Sequence, residues 1–309
     1  LNLGGNMLSA QGMQILGEHL VECEQLTHLD LFKNSLEAEG TAILSKVVEQ
    51  CKRLTYLDLT ANRSCEDGVQ SLSSTLGECR ALKSLLLRNS LMGDKGMQSL
   101  APLLPRFENL SHLDLRIAFL SQEGISTLFS VLPQCRNITH LNLGQNGLKT
   151  SGAAALAKIL GHWPMLLNLE LDQNFIGDTG AKLLAESIAR GECSQLRSLN
   201  LEKNCIQDEG VKQLAEALEQ CSGLEHLNLK SNEIGAEGAE SLKELMALAH
   251  ARCRPGPAHA GLKIIGLRFK LDSDQSSFPA GISNRDSQYP QGGSPWHGAL
   301  EEAEREAVE

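Results

Sequence analysis

Aromatic side chains are scarce in this sequence, since Phe, Trp and Tyr together make up 4% of its 309 residues. A core of normal size must therefore be built from aliphatic side chains, and hydrophobic residues of all kinds reach 41%. Basic residues are also few, with 28 Lys and Arg against 38 Asp and Glu, for a net charge of −10. A protein that grips a phosphate backbone needs a concentrated basic face, so nucleic acid is not predicted as a partner.

Other missing patterns exclude further functional classes. No apolar run approaches the roughly 18 residues of a membrane span, so no membrane association is predicted. The P-loop, GxGxxG, HExxH and GxSxG motifs are absent. The protein is therefore predicted to have no enzymatic activity and no cofactor. Because the first residue is Leu1 rather than Met, we expect the sequence to be a piece of a longer chain.

A Leu-x-Leu motif repeats along most of the chain. The first Leu of each motif, called the anchor here, recurs at Leu1, Leu29, Leu57, Leu85, Leu113, Leu141, Leu169, Leu199 and Leu227. The spacing is 28 residues except once, where a two-residue insertion at Arg190–Cys193 makes it 30. Gly follows every anchor by eleven residues, and Leu follows it by fifteen. Self-similarity at a fixed period of this size predicts a solenoid of stacked repeats.

Each repeat changes its period halfway. Apolar residues alternate around the anchor, which predicts a short strand, and later recur every four residues, as at Leu214 and Leu218, which predicts a helix. Asp94, Asp178 and Asp208 are expected to accept hydrogen bonds from the first N–H groups of the helices they begin. Parallel strands lie about 4.8 Å apart and helices about 8–10 Å apart, so the stack must curve. The predicted fold is an α/β solenoid arc with a parallel sheet on its concave face and helices on its convex face.

The full pattern, LxxLxLxxNxLxxxGxxxLxxxLxxC, resembles the leucine-rich repeat of ribonuclease-inhibitor type. The uniform repeat length is most similar to the sensor region of NOD-like receptors. The resemblance implies a cytoplasmic protein that recognises another protein on its concave face, with the partner and the oligomeric state left open. Two alternatives remain: a GTPase-activating protein of Ran type, and a ribonuclease inhibitor-like protein, for which an acidic chain suits a basic target.

Three segments are predicted. Residues 1–248 hold nine repeats, and residues 249–271 form an irregular C-terminal cap in which Leu262–Leu267 resembles a last strand, shifted by ten residues. Residues 272–309 are rich in Ser, Gly and Pro, with eight acidic and two basic residues. This composition is typical of a disordered acidic tail.

Asn occupies the fifth position after the anchor in seven repeats, at Asn6, Asn34, Asn62, Asn146, Asn174, Asn204 and Asn232. An amide there offers donors and an acceptor to the turn that ends the strand, which predicts a stacked ladder of amides. Ser90 and Ala118 interrupt this ladder, and Asn89 lies one residue too early to repair it. The interruption indicates either a repeat that has drifted from the pattern or a kink or ligand site on the fourth and fifth strands.

Most of the nine cysteines share one position in the repeat. Six of them occupy a site just after the helix that Phe107 and Trp163 fill elsewhere, namely Cys23, Cys51, Cys79, Cys135, Cys193 and Cys221. A site that accepts Cys, Phe or Trp is a packing site, so free thiols and a reducing cytosol are predicted. Cys-x4-His pairs such as Cys135 and His140 imitate metal-ligand spacing, but their side chains are expected to diverge. No metal is predicted.

The concave face carries the candidate site. Its predicted partner-binding residues are His28, Asp30, Phe32, Tyr56, Asp58, Leu86, Arg88, His112, Asp114, Arg116, His140 and Glu170. Phe32, Tyr56 and Leu86 are expected at exposed strand positions, where a partner would explain them. The alternative is an ordinary solvated sheet. His112 and His140 are expected to be neighbours, and histidine protonation is expected to tune binding between about pH 5 and 7.

Overall fold

The computed structural model describes residues 1–219, 223–252, 263–265 and 282–283. The helices in these ranges are α1 (Ala10–Leu20), α2 (Glu37–Gln50), α3 (Cys65–Leu76), α4 (Gly93–Leu100), α5 (Gln122–Val131), α6 (Lys149–Ile159), α7 (Gly177–Ala189), α8 (Asp208–Leu218) and α9 (Ala236–Arg252). Short 3-10 helices extend α4, α5 and α6, at Ala101–Arg106, Leu132–Gln134 and Leu160–His162. The strands are β1 (His28–Asp30), β2 (Tyr56–Asp58), β3 (Ser84–Leu86), β4 (His112–Asp114), β5 (His140–Asn142), β6 (Asn168–Glu170), β7 (Ser198–Asn200), β8 (His226–Asn228), β9 (Lys263–Ile265) and β10 (Ile282–Ser283).

The strands form one parallel sheet in which sequence order equals spatial order, from β1 to β10. Anchor pairs with anchor at each step from β1 to β8, as with Leu29 and Leu57. The α/β solenoid arc predicted from the repeat is confirmed. The first motif contributes a single bridge between Asn2 and Asp30 rather than a full strand.

From the second motif (Leu29 and Leu31) onward, the two leucines of each motif point away from the concave face and form the core with the helices. Leu57 and Leu59, for example, are completely buried, as are their equivalents in the following repeat. Burying a Leu side chain fully stabilises the folded state by roughly 1.5–3 kcal/mol. Here these leucines pack against neighbouring repeats. The core is therefore one continuous aliphatic layer along the solenoid.

The Gly eleven residues after each anchor lets successive helices approach closely. A Cβ added at Gly68 would lie 3.0 Å from the Cα of Ala38 in the preceding helix. Backbone atoms cannot yield as a flexible side chain does, so any larger residue would push the helices apart. This packing explains why Gly recurs in phase with the anchor.

The amide ladder is present as predicted. Asn174 shows its pattern: Nδ2 donates to Leu171 O (3.0 Å) in its own repeat and to Leu143 O (2.9 Å) in the preceding one. Its Oδ1 accepts from Asn146 N (3.0 Å) and Leu148 N (3.2 Å). Each rung therefore joins the strand ends of two repeats.

The interruption of the ladder leaves a buried hydroxyl without a partner but does not break the sheet. Among the described residues, Ser90 Oγ is buried and makes no hydrogen bond. The strands still pair residue by residue through this region, from β2 to β5. This unbroken pairing gives no sign of a kink, and the drifted repeat and the ligand site on the fourth and fifth strands both stay predictions.

The expected helix caps are wrong in detail. Asp94, Asp178 and Asp208 lie within the first turns of their helices and accept hydrogen bonds from the next repeat instead. Asp94 Oδ1 accepts from Ser121 N (2.8 Å) and from Gly124 N (3.1 Å) at the start of α5. The carboxylate therefore caps the following helix, because stacking brings that N-terminus beside it.

The position shared by the cysteines is a packing site, as predicted, in most of the repeats. Cys51, Cys79, Cys135 and Cys193 are buried, as are Phe107 and Trp163. Cys23 is exposed, and Cys221 lies outside the described residues. Burial raises the pKa of the Cys79 thiol to about 12, which keeps it protonated.

The C-terminal segments are described only in part. Strand β9 falls within Leu262–Leu267, where a last strand was predicted, and pairs with β8. Strand β10 lies inside the predicted tail and pairs with β9. The predicted cap and tail otherwise fall largely on residues 253–262, 266–281 and 284–309, outside the described part. The segment boundaries at 248 and 271 remain predictions.

Candidate protein-binding surface on the inner sheet

Three residues of each repeat form three parallel rows on the concave face, called the inner sheet here. The first row, just before the anchors, is His28, Tyr56, Ser84, His112, His140, Asn168, Ser198 and His226. The second row, just after the anchors, is Asn2, Asp30, Asp58, Leu86, Asp114, Asn142, Glu170, Asn200 and Asn228. The third row, two residues further, is Gly4, Phe32, Thr60, Arg88, Arg116, Gly144, Asp172, Glu202 and Lys230. The strand register therefore brings all twelve predicted residues to one face.

Rings stack along the first row. His28 and Tyr56 lie with ring centroids 3.9 Å apart and nearly parallel planes, and His112 and His140 lie 4.2 Å apart. The predicted proximity of His112 and His140 is thus confirmed, because the spacing of parallel strands matches the thickness of stacked rings.

The expectation that these histidines titrate between pH 5 and 7 is wrong. Burial lowers the pKa of His112 to about 4. Burial and then the charge of His112 lower the pKa of His140 to about 3. Both imidazoles are therefore uncharged at physiological pH and pack as stacked neutral rings.

The apolar residues of the inner sheet are less exposed than predicted. Tyr56 is 8% exposed and Leu86 is 5% exposed, and the two pack against each other. Side chains on adjacent strands lie about 4.8 Å apart and shield one another, which the alternating sequence pattern does not reveal. Phe32 and Arg88, in the third row, are half-buried and remain accessible.

Most polar residues of the second row close the turn that follows the strand. Asp58 Oδ1 accepts from Thr60 N (2.7 Å), and Asp114 Oδ1 accepts from Arg116 N (2.9 Å). Asparagine makes the same bond elsewhere, as from Gly144 N to Asn142 Oδ1 (3.0 Å). An amide oxygen therefore closes this turn as well as a carboxylate does, so the turn does not need a negative charge.

Burial perturbs the carboxyl groups of the second row. Desolvation, with a smaller contribution from the nearby charge of Asp30, raises the pKa of Asp58 to about 6 against the hydrogen bonds from Thr60 and Tyr56. Desolvation likewise raises the pKa of Asp114 to about 6.

Glu170 shows the same effect more strongly. Desolvation raises the pKa of Glu170 to about 7, although its hydrogen bond from Asn200 opposes the shift. The nearby charges of Asp172 and Asp114 act in the same direction as burial. These carboxyl groups lose their protons close to neutral pH rather than near pH 4.

An ion pair crosses the third row between repeats that are not adjacent. Arg116 Nη2 lies 2.7 Å from Asp172 Oδ2, and both side chains are largely buried. Between them lies Gly144, where an added Cβ would clash with Asp172 Oδ1 and lie 3.0 Å from Arg116 Nε. Glycine therefore leaves room for the pair to meet, and any larger residue would displace the two charged side chains.

Asp172 is not among the site residues predicted from the sequence. The signal was available in the third row, where an acidic residue follows Arg116 and Gly144 at the same position of successive repeats. It was missed because an ion pair over a 56-residue separation requires the register of three strands at once.

The described part of the chain holds neither a membrane-spanning helix nor a metal-binding cluster. None of its helices has the length and apolar character that crossing a membrane requires. Nor do its His, Cys, Asp and Glu residues form a group of three or more placed to hold a metal ion.

The repeats, the parallel inner sheet and the outer helices define a leucine-rich repeat solenoid. A leucine-rich repeat family model matches residues 134–157, 192–215 and 220–243. Comparison with curated proteins finds no match to this chain. Leucine-rich repeats generally act as protein-interaction modules, and their solenoids are typically binding scaffolds without catalytic activity.

Proposed function

We propose that this chain is a recognition module whose inner sheet binds another protein. The observation that carries the proposal is the charge of the second row. An amide closes the turn as well as a carboxylate does, yet Asp30, Asp58 and Asp114 place carboxyl groups there, all nearly buried. Burying a charge lowers stability, so these residues are better explained by an interaction with a ligand than by folding.

The third row supplies accessible contacts beside these carboxyl groups. Phe32 and Arg88 are half-buried, and Arg88 makes no ion pair within 4 Å among the described residues. Aromatic side chains and arginine are enriched in protein interfaces. An interface centred on β1 to β4 would use both.

The experiment compares capture of partners from cytosol by the intact chain and by a Phe32→Ala/Arg88→Ala variant. A matched control, Ile15→Ala/Lys46→Ala, removes one exposed apolar and one exposed basic side chain from helices on the convex face. Quantitative mass spectrometry is expected to show the same specific partners for the control and a loss of at least about tenfold for the inner-sheet variant. Equal recovery by both variants would refute the assignment of the binding face.

We propose in addition that the module works as the sensor region of a NOD-like receptor, in the cytoplasm. The uniform 28-residue repeat length supports this relationship. Two assays test it against the alternatives: GTP hydrolysis by Ran and binding of a pancreatic-type ribonuclease, each with and without this protein. We expect neither to respond. Stimulated hydrolysis would favour the GTPase-activating protein, and tight ribonuclease binding would favour the inhibitor.

A further inference from the structure

We propose that the loops leading from the strands to the helices form a second docking surface, which binds an acidic amphipathic helix of another protein. This surface, called the loop edge here, consists of the sixth residue after six successive anchors: Arg63, Leu91, Phe119, Gly147, Phe175 and Cys205. In each repeat it follows the third row of the inner sheet by three residues. The inference therefore goes beyond the proposed function and does not depend on it.

Two aromatic side chains of the loop edge project into solvent. Phe119 is 62% exposed and Phe175 is 63% exposed. Leu91 and Ile117, which are half-buried, extend the apolar surface on the side of Phe119. Exposed apolar patches mark interaction sites, and aromatic side chains are enriched in protein interfaces.

The backbone at these positions is unfavourable for the residues it carries. The φ angle is 57° at Leu91, 55° at Ile117, 60° at Phe119 and 56° at Phe175. Gly and Asn adopt this left-handed region readily, whereas bulky and β-branched residues adopt it only at a cost in free energy. Since the two Phe side chains are mostly exposed, burial within the fold offsets little of that cost. A partner that buries the rings explains them better than folding does.

The amide ladder is interrupted in the same two repeats. Ser90 and Ala118 replace the ladder amides and directly precede Leu91 and Phe119 in the chain. The hydroxyl of Ser90 is buried without a hydrogen bond among the described residues. Drift of a repeat gives no reason for the lost amides and the exposed apolar side chains to occur together, so the coincidence favours a binding role.

Hydrogen bonds between repeats fix the spacing of the two rings. In the loops that join Phe119 to the following repeats, Ile117 N and Gln145 N each donate to a carbonyl oxygen of the next repeat, at 3.0 and 2.8 Å. The loops therefore keep roughly the strand separation of about 4.8 Å, which places Phe119 and Phe175, two repeats apart, about 10 Å from each other. Two turns of an α-helix span about 10.8 Å. A helix lying along the loop edge can thus set apolar side chains against both rings.

Gly147 leaves a gap between the two rings. It occupies the same position in the repeat between them, and a Cβ added there would have no described residue beyond its two chain neighbours within 4 Å. An apolar side chain of the partner, such as Leu or Met, can enter this gap and contact both rings.

Exposed cations accompany the apolar side chains. Arg63, Lys149 and Lys203 are exposed on these loops, and no ion pair among the described residues involves them. The nearby carboxylates of Asp94 and Asp178 instead accept backbone N–H groups of the following repeat. An acidic partner therefore meets complementary charge at this edge. The net charge of −10 would repel an anionic membrane, so a protein segment is the favoured occupant.

The probe is a fluorescently labelled synthetic peptide of about 18 residues, with Leu at i, i+4, i+7 and i+11 and Glu on both sides of that stripe. Its counterpart carries Lys in place of Glu. Fluorescence anisotropy measures the affinity of the intact chain for each peptide. We expect the Glu peptide to bind at least about tenfold more tightly than the Lys peptide.

The key variant is Phe119→Asn/Phe175→Asn. A matched control, Ile15→Gln/Met165→Gln, removes two apolar side chains of similar exposure away from the loop edge. We expect the Asn variant to bind the Glu peptide at least about tenfold more weakly and the control to bind it as the intact chain does. Because Asn suits a positive φ better than Phe, the Asn variant should melt at the same temperature as the intact chain or higher.

A second pair of variants tests the charges. Lys149→Gln/Lys203→Gln should weaken binding of the Glu peptide about threefold or more. Lys158→Gln/Lys212→Gln makes the same change in net charge at exposed positions of α6 and α8 and should leave the affinity unchanged.

The inference is overturned if the Glu peptide does not bind, if a variant and its control weaken binding equally, or if the Lys peptide binds as tightly. A lower melting temperature of the Phe119→Asn/Phe175→Asn variant would show that the rings serve the fold. Phosphatidylserine vesicles or a second copy of the chain, bound through these rings in place of the peptide, would identify a different occupant. The Phe32→Ala/Arg88→Ala variant should bind the peptide normally, and a loss there would place the peptide on the inner sheet.

Discussion

Replacing Asn174 by Ala should destabilise the solenoid by an amount that can be worked out from its contacts. Asn174 is fully buried, and its side chain bonds Asn146 N, Leu148 N, Leu143 O and Leu171 O. Both carbonyls keep an amide donor from a neighbouring rung of the ladder, but the two N–H groups lose their acceptor. At about 1–3 kcal/mol for each buried unsatisfied group, the expected loss is about 2–6 kcal/mol.

Asn6 provides the control, because it occupies the same position of the repeat at an exposed rung. Its side chain makes one bond, from Nδ2 to Leu3 O (2.8 Å), at an exposed site. Asn6→Ala should lower the free energy of unfolding by less than about 1 kcal/mol. Urea unfolding followed by circular dichroism measures both losses. If the Asn174 and Asn6 variants lose the same stability, the ladder does not act as the contacts imply.

Three further predictions concern the core, the ion pair and pH. Leu156→Ala should lower the free energy of unfolding by about 2–5 kcal/mol. Cys79→Ala should lower it by less, since both side chains are fully buried but the thiol is smaller. Equal losses of stability in urea unfolding would contradict this ranking. Gly144→Ala should lower the melting temperature by forcing the ion pair above it apart, and an unchanged melt would show that the pair yields freely. Because the folded state raises the pKa of Glu170 from 4.5 to about 7, it binds this proton more tightly than the unfolded chain does, and that stability is lost as pH rises through 7. Glu170→Gln should therefore gain stability relative to the intact chain between pH 5 and 8, and a constant difference in melting temperature over that range would rule this out.

The sequence predicted the fold because every part of the repeat unit recurs in phase. The anchor leucines, the ladder amides and the Gly after each anchor all have one structural role that is the same in each repeat. Stacking identical units leaves little freedom in strand order or register. The rows of the inner sheet followed directly from that register.

Interactions between repeats were harder to predict. Asp94 caps the following helix rather than its own, because the offset between stacked helices is a tertiary property. The burial of Tyr56 and Leu86 likewise depends on neighbours 28 residues away, whereas the alternating pattern reports only which face a side chain occupies. The pKa values of His112 and His140 were misjudged for the same reason.

Arginine footprinting tests the central claim, recognition by the inner sheet, most directly. Phenylglyoxal labelling with and without a captured partner, read out by mass spectrometry, compares Arg88 on the inner sheet with Arg80 and Arg136, which are exposed in turns that follow helices. We expect the partner to lower labelling of Arg88 and to leave labelling of Arg80 and Arg136 unchanged. Protection of Arg80 and Arg136 without protection of Arg88 would contradict recognition by the inner sheet.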